Sequence, residues 1–413
     1  MLRLSALLVC CSVVLNVESA GLKEEFTWTF INYAWPENST VCGHSKDNMS
    51  GKGDFVFPSA HEAPKRGYFS FRNRNGVSEE TPEYTLENNI PMGATRYQNK
   101  VFVTVPRRRV GIPSTLNYVS LDCKARHNVP LTPYPSWEMN ALNADRPNNP
   151  TDVRTPFVSV YRTTVDACDR LWFVDMGMLE YPTGRQQVQQ FALIVMDLKT
   201  DKVIRRFPFS VTDANPAATL ASVHVDVTKD TCDDAFAYIP DLVNYKLLVY
   251  SWKNNDAWRI SHNYFFLDPL QGDFSIGGHN FMWNDGIFSV GLSKIQPDGY
   301  RTAYFHAMAS TREFSVSTRV LRNRDLATRS YQGGDFQVVG DRGKKGQTAS
   351  HELHEQSGIM FMAEVNKNGL YCWNINKPLT PRNQGLVHAD AQKMIYPSDV
   401  KLDNKNNVWN LDQ

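Results

Sequence analysis

A histidine set between two glycines and an aromatic is the strongest local arrangement for chemistry in this chain: Gly277-Gly278-His279-Asn280-Phe281. Glycine has no Cβ, so backbone there accepts the close approach of a ligand. His279 is the candidate base of this segment, with Asn280 and Phe281 as ligand contacts. The plainer reading is a loop histidine with one structural hydrogen bond. Asp175 and Asp241 close two strands at equivalent places. Each either caps a turn or meets a ligand. Gln347-Thr348 and Glu364-Val365-Asn366 flank another strand, and Thr348 and Asn366 are the residues there that could hold a small polar ligand. His224 lies inside the apolar run Ala221–Val227 and is expected to be buried.

Other chemistries lack support. His351-Glu352-Leu353-His354 places its histidines three apart in a strand-rich context, whereas the zinc-protease motif needs them four apart on a helix. No metal site or cofactor is expected. A Gly-x-Ser-x-Gly elbow, a phosphate loop and a dinucleotide fingerprint are all missing. Formal net charge is +1, which gives no electrostatic case for nucleic acid or an anionic membrane. The one tight basic cluster, Arg107-Arg108-Arg109, reads as a solvated turn after a strand.

These candidates need a scaffold, and the sequence repeats one. Polar turns rich in Asp, Asn, Gly and Lys feed short apolar strands with a central aromatic: Phe102, Trp172, Phe236, Tyr304, Phe361 and Trp409. Their spacing, from 48 to 70 residues, suits a β-propeller blade, in which one such strand stands among weaker ones. Six copies predict an all-β, six-bladed β-propeller with a central channel, formed by residues 21–413 as a single domain. Phe26 to Trp35 alternates enough to be read as a further strand. The chain ends four residues after Trp409, so the last blade looks short. Either the segment before Phe102 completes it, or a C-terminal piece is missing.

Residues 1–20 read as a secretory signal: a basic start at Arg3, then an apolar run from Leu4 to Leu15 too short to span a bilayer. Asn38 and Asn48 head glycosylation sequons, whereas Pro150 excludes Asn149. Five cysteines follow the signal, and in an oxidising compartment most should pair. Cys168 and Cys232 precede equivalent strands one repeat apart, which predicts a bridge between adjacent blades. Cys42 with Cys123 is the second pairing, which leaves Cys372 odd or paired with something beyond Gln413.

The run NIPMGATRYQNKVFVTVPRRRVGIPSTLNYVSL from Asn89 resembles the opening signature of the yellow/major royal jelly protein family. So do LTPYPSWEMN (131–140), VDACDRLWFVD (165–175), DAFAYIPDLVNYKLLVYSW (234–252) and YCWNINKPL (371–379). MGMLEYPTGRQQVQQFALIVMDL (176–198) is similar to the yellow-f-like branch of insect members. The resemblance implies a six-bladed propeller and a secreted insect protein. That branch is linked to dopachrome conversion in melanin formation. Salivary members bind biogenic amines in the channel, using Thr and Asn in the general region of Thr348 and Asn366, and royal jelly members are nutritive or assembly proteins.

Dopachrome carries an o-quinone and an acidic proton on the carbon bearing its carboxylate. Its tautomerisation needs a base at that carbon and donors at the quinone oxygens. A nearby Arg or oriented N–H groups would suit the carboxylate. On this reading His279 is the base and Asp175, Asp241, Asn280, Phe281, Thr348 and Asn366 are ligand contacts. The expected partner is a catechol, an aminochrome or a biogenic amine. The alternatives are a non-catalytic amine- or catechol-binding protein and a structural protein of cuticle or pigmentation.

Overall fold

In the computed structural model, the described residues are 2–4, 22–36, 42, 84–142, 149–182 and 184–412. The repeated aromatics sit where the repeat predicts: Phe102, Trp172, Phe236, Tyr304 and Phe361 each lie on the second strand of a four-stranded antiparallel sheet. The first strands of these five blades are Gly93–Tyr97, Val160–Val165, His224–Asp226, Ile287–Leu292 and Thr348–His354. They pack on one another around the axis. The second strands return antiparallel, so the two ends of the toroid differ. The face where second strands end is here called the upper face.

The expectation of six blades is corrected: among the described residues the structure shows an all-β propeller with five complete blades. After the fifth blade, residues supply only two further strands, Pro397–Leu402 and Val408–Asp412, the second carrying Trp409. Their sheet is filled out by residues 2–4 and by Lys23–Glu24 instead of third and fourth strands of the same repeat. Pro397–Leu402 packs against the first strands of blades 5 and 1, which closes the ring. Phe26 to Trp35 is not a ladder strand. It touches blade 1 through isolated parallel bridges, Thr27 to His127 and Tyr33 to Leu131. Of the expected signal, only residues 2–4 are described, and Asn38 and Asn48 lie outside the described residues.

The polar turns recur for a reason visible in two of them. Asp166 accepts from the backbone N–H groups of Cys168 and Arg170, from Arg170 Nε at 2.7 Å and from Trp172 Nε1 at 2.8 Å. Asp403 does the same for Lys405 N, Asn407 N and Trp409 Nε1 at 2.9 Å, and pairs with Arg96 of blade 1 at 2.5 Å. One carboxylate thereby satisfies the turn and the indole of a buried tryptophan, which needs a partner for its N–H. Trp172 and Trp409 are essentially inaccessible. Burying a side chain of that size is worth roughly 1.5–3 kcal/mol.

Both expected bridges are present: Cys168–Cys232 links the lower turns of blades 2 and 3, and Cys42–Cys123 ties the N-terminal segment to blade 1. Cys372, expected to be left over, is disulfide-bonded too. The first closes a loop with a sequence separation of 64. Replacing both Cys168 and Cys232 by serine should lower unfolding free energy by about 2–4 kcal/mol. A shift of the denaturant midpoint to lower concentration checks it, and an unchanged midpoint refutes it.

Candidate functional site

Arg162 blocks the axis. It leaves the first strand of blade 2 and donates to the carbonyls of Phe288, Ala349 and Ser398, on three other first strands. Its guanidinium stands 3.7 Å from Asp399 and 5.4 Å from the centre of the Phe288 ring. Arg162 thereby ties four first strands together across the axis, and the side of it toward the upper face is here called the upper compartment.

The upper compartment is built by connections of four sheets. The arginine run of blade 1 is divided between core and chamber, correcting the solvated-turn expectation. Arg107 is buried and donates to the carbonyls of Ile112, Phe157, Val158, Pro113 and Asn140 at 2.5–3.0 Å. Burial lowers its pKa to about 10. Its own carbonyl accepts from Glu180 N at 2.9 Å, which ties in the hairpin of blade 2 formed by Met178–Leu179 and Gln186–Gln187. Arg107 so fixes the base from which Arg108, partly buried, reaches the chamber, while Arg109 is exposed.

A second hairpin, Asp273–Ile276 with His279–Met282, precedes blade 4. Gly277 and Gly278 form its turn, both at positive φ (58° and 81°), as a two-residue turn of this hand requires. Its outgoing strand leads to Trp283, whose ring stacks on Tyr396 at 6.0 Å and meets Phe288, Phe274 and Phe281 within 6.3 Å. Trp283 Nε1 donates to Asp285 Oδ2 at 2.6 Å. Burial raises the Asp285 carboxyl above the ordinary range, outweighing that hydrogen bond and the positive charge of Arg108, which both pull it down.

Two phenols share this field. Tyr396 is pushed up to about 12, chiefly by burial, with Arg162 and Arg108 opposing and Asp285 adding. Tyr161 is raised by burial too, within the influence of Arg108, Tyr181, Arg185 and Asp285. Its hydroxyl is buried with no hydrogen-bond partner among the described residues. An unsatisfied buried hydroxyl costs about 1–3 kcal/mol, which a ligand acceptor would relieve. Arg185 lies over the Tyr181 ring at 4.6 Å, at the rim.

The sequence-derived candidates fall around this chamber, in other roles. His279 and Asn280 are exposed on the hairpin, and Phe281, 41% exposed, stacks on Phe274. Asp175 is fully buried and accepts from Val158 N, Ser159 N and Gly177 N, with Arg206 at 3.5 Å. Asp241 is likewise buried, capping Thr219 N and binding Asn244. Thr348 is buried with its hydroxyl on Gly346 O. Asn366 accepts from Ser275 N and donates to Asp273 O and Gln347 Oε1, clamping the hairpin that carries Trp283. Trp283, Asp285, Tyr396, Tyr161 and Arg108 were not singled out as site residues by sequence. The available signal was Trp283-Asn284-Asp285 directly after the Gly-Gly-His segment.

His351 and His354 lie on a strand rather than a helix. His354 Nδ1 meets Ser357 Oγ at 2.7 Å. His351 joins His306 and Glu313 in a buried group whose potential ligand atoms lie within 4.8 Å of one another. Hydrogen bonds already occupy the imidazole nitrogens: His306 meets Glu313 Oε2 and Thr348 O, and His351 meets Ser289 Oγ and Tyr304 O. Arg342 pairs with Glu313 at 2.5 Å, so the group is an ion network between blades 4 and 5.

The family described as major royal jelly protein matches residues 158–413. L-dopachrome tautomerase yellow-f of Drosophila melanogaster is 43% identical over 347 residues, covering 84% of this chain and 79% of its own length. Protein yellow of Drosophila subobscura is 35% identical over 411 residues, covering 99% of this chain, and Protein yellow of Drosophila melanogaster is 36% identical over 392 residues, covering 94%. The chain spans 64% of the length of each of those two. Among solved structures, virginiamycin B lyase from Staphylococcus aureus aligns weakly, with a TM-score of 0.39 at 10% identity over 79% of this chain and 96% of that one.

Proposed function

Because this chain belongs to the major royal jelly protein family, with a tautomerase among its relatives, we propose that it is a secreted enzyme converting dopachrome to dihydroxyindole products in melanin formation. The observation that carries the reading is the partly buried carboxylate of Asp285, held by Trp283 beside a flat aromatic wall and an unsatisfied phenol. The two disulfides suit an oxidising compartment.

The aminochrome ring lies against Trp283 and Tyr396. Arg108 faces its carboxylate. Asp285 takes the proton from the carbon bearing that carboxylate. The electron pair enters the ring and the quinone oxygens gain negative charge. Tyr161 and Tyr396, kept protonated by burial, donate to those oxygens. A second proton then leaves the neighbouring saturated ring carbon; two protons leave carbon and two arrive at the quinone oxygens, so the tautomerisation to the dihydroxyindole balances without a cofactor. If the carboxylate leaves as carbon dioxide, its bond supplies the electron pair in place of the C–H bond. The base role moves here from His279 to Asp285, because a base in a desolvated pocket has its pKa lifted toward working pH.

The test is an assay of the purified protein with freshly made dopachrome, following loss of aminochrome absorbance against a heat-inactivated control. Saturable acceleration with one indole product on chromatography supports the reading. No acceleration, together with tight dopamine or serotonin binding by calorimetry, sinks it. It would leave the second reading, an amine-binding propeller, for which the same carboxylate and aromatic wall suit an ammonium.

The acid limb of the rate profile gives a further prediction. Asp285 must be ionised, so kcat/KM should fall as pH drops through its raised pKa, above the usual aspartate range. Trp283→Phe removes a donor that favours the charged form, so the limb should move to still higher pH. A limb unmoved by Trp283→Phe would dissociate it from Asp285.

A further inference from the structure

On the lower face, where the closing sheet meets blade 1, lies a cavity of about 510 Å³ that the chemistry above does not use. Small-molecule sites typically enclose about 300–1,000 Å³. Its walls come from three turns. Gln98 and Asn99 connect the first two strands of blade 1, Asp122 follows the third strand Leu116–Ser120, and Asn404 and Lys405 stand in the polar turn before Trp409. Asn99 Nδ2 donates to Asp122 Oδ2 at 2.5 Å and Leu121 N donates to Asn99 O at 2.7 Å, which ties two walls together. Lys405 N donates to Asp403 Oδ1 at 2.8 Å, which fixes the third.

Arg96 is the most buried residue lining the cavity, with its side chain 7% exposed. Its Nε donates to Gln98 O at 2.9 Å and its Nη1 to Asp403 Oδ2 at 2.5 Å. Nη2 has no acceptor among the described residues. Asp403 cannot serve, because Lys405 N, Asn407 N, Asn407 Nδ2 and Trp409 Nε1 already fill its oxygens. A guanidinium N–H left in a wall of this kind calls for an acceptor. Lys405 is exposed, and its ammonium is likewise unpaired among the described residues. Against these two cations the cavity sets one carboxylate, Asp122, so its lining carries one positive charge in excess. The remaining walls are amides and Leu121, with no aromatic ring.

We propose that this cavity binds a sugar acid, a small hydroxylated molecule bearing a single carboxylate. The carboxylate meets Arg96 Nη2 and the Lys405 ammonium and cancels the excess charge. The hydroxyls, each both donor and acceptor, pair with the amides of Asn404 and Asn99 and donate to Asp122 Oδ1. A flat catechol finds no ring to stack on here, so this site differs in chemistry from the upper chamber.

Calorimetric titration of the whole protein with glucuronate tests this, with glucose, acetate and inorganic phosphate as comparisons. Glucose lacks the charge, acetate lacks the hydroxyls, and phosphate carries more than one charge near neutral pH. Glucuronate should bind at least about tenfold more tightly than each of them, and more weakly as salt is raised. Lys405→Glu changes an exposed turn residue and takes the lining from one positive charge in excess to one negative. It should fold normally and weaken glucuronate on the order of tenfold or more. No glucuronate binding at millimolar concentration overturns the proposal, as does binding that Lys405→Glu leaves intact. Glucose or acetate binding as tightly as glucuronate overturns the need for charge and hydroxyls together, and tighter binding of phosphate overturns the sugar acid.

Discussion

Asp285→Asn is expected to reduce kcat/KM for dopachrome by a factor on the order of 10²–10⁴, the usual contribution of a positioned general base. The substitution keeps the shape and can still accept from Trp283 Nε1, so the aromatic wall should stand. What it removes is the ability to take a proton from carbon. Melting temperature should be unchanged or rise slightly, because a partly buried charge has gone. Arg108→Met should act differently, raising KM by losing the anchor for the carboxylate while leaving the base in place. His279→Ala, at an exposed hairpin position, should leave the rate near that of the unaltered protein. If His279→Ala silences the protein and Asp285→Asn does not, the base has been misassigned.

What was legible in the sequence, and what was not, follows from how local each signal is. The aromatics Phe102 to Trp409 each follow a polar turn within one hairpin, and Asp166 and Asp403 lie six residues before the tryptophans they bind, so short-range pattern exposes them. The Cys168–Cys232 bridge followed from the same phase, since equivalent turns of adjacent blades must be neighbours. Blade count was less secure. The last copy carries the aspartate, the turn and Trp409, but strands from elsewhere fill the rest of its sheet. A repeat counted on second strands alone cannot see that.

The site was harder for a different reason. Arg108, Tyr161, Asp285 and Tyr396 come from connections far apart in sequence, and only closure of the ring brings them together. Arg107 and Arg108 are neighbours with identical side chains, yet one saturates five carbonyls in the core and the other faces the chamber. Composition does not separate them. Asp175 and Asp241 were correctly placed as equivalent, because a carboxylate at a strand's upper end collects the N–H groups of the entering chain in both blades.

The ion network between blades 4 and 5 carries the largest expected effect on stability. Glu313 is completely buried, and its carboxylate faces Arg342, His306 and His351. Burial alone would raise its pKa. The charges of His306, His351 and Arg342 outweigh it and bring the value to about 2. Glu313→Ala strands Arg342 without its counter-charge and should cost about 3–5 kcal/mol, the usual penalty for breaking a buried pair from one side. The sign in pH follows. A carboxyl whose folded pKa is depressed adds stability above its unfolded value near 4.5, and this is lost as pH falls toward about 2. His351, lowered to about 3 mainly by burial, takes up its proton in the unfolded chain first, so stability also declines as pH falls from about 6.5. The unaltered protein should lose stability in two stages on acidification. Glu313→Ala should begin less stable at neutral pH and lack the lower stage. Denaturant unfolding between pH 7 and pH 3 measures both. A variant as stable as the parent at pH 7 would mean that the network does not hold blades 4 and 5 together.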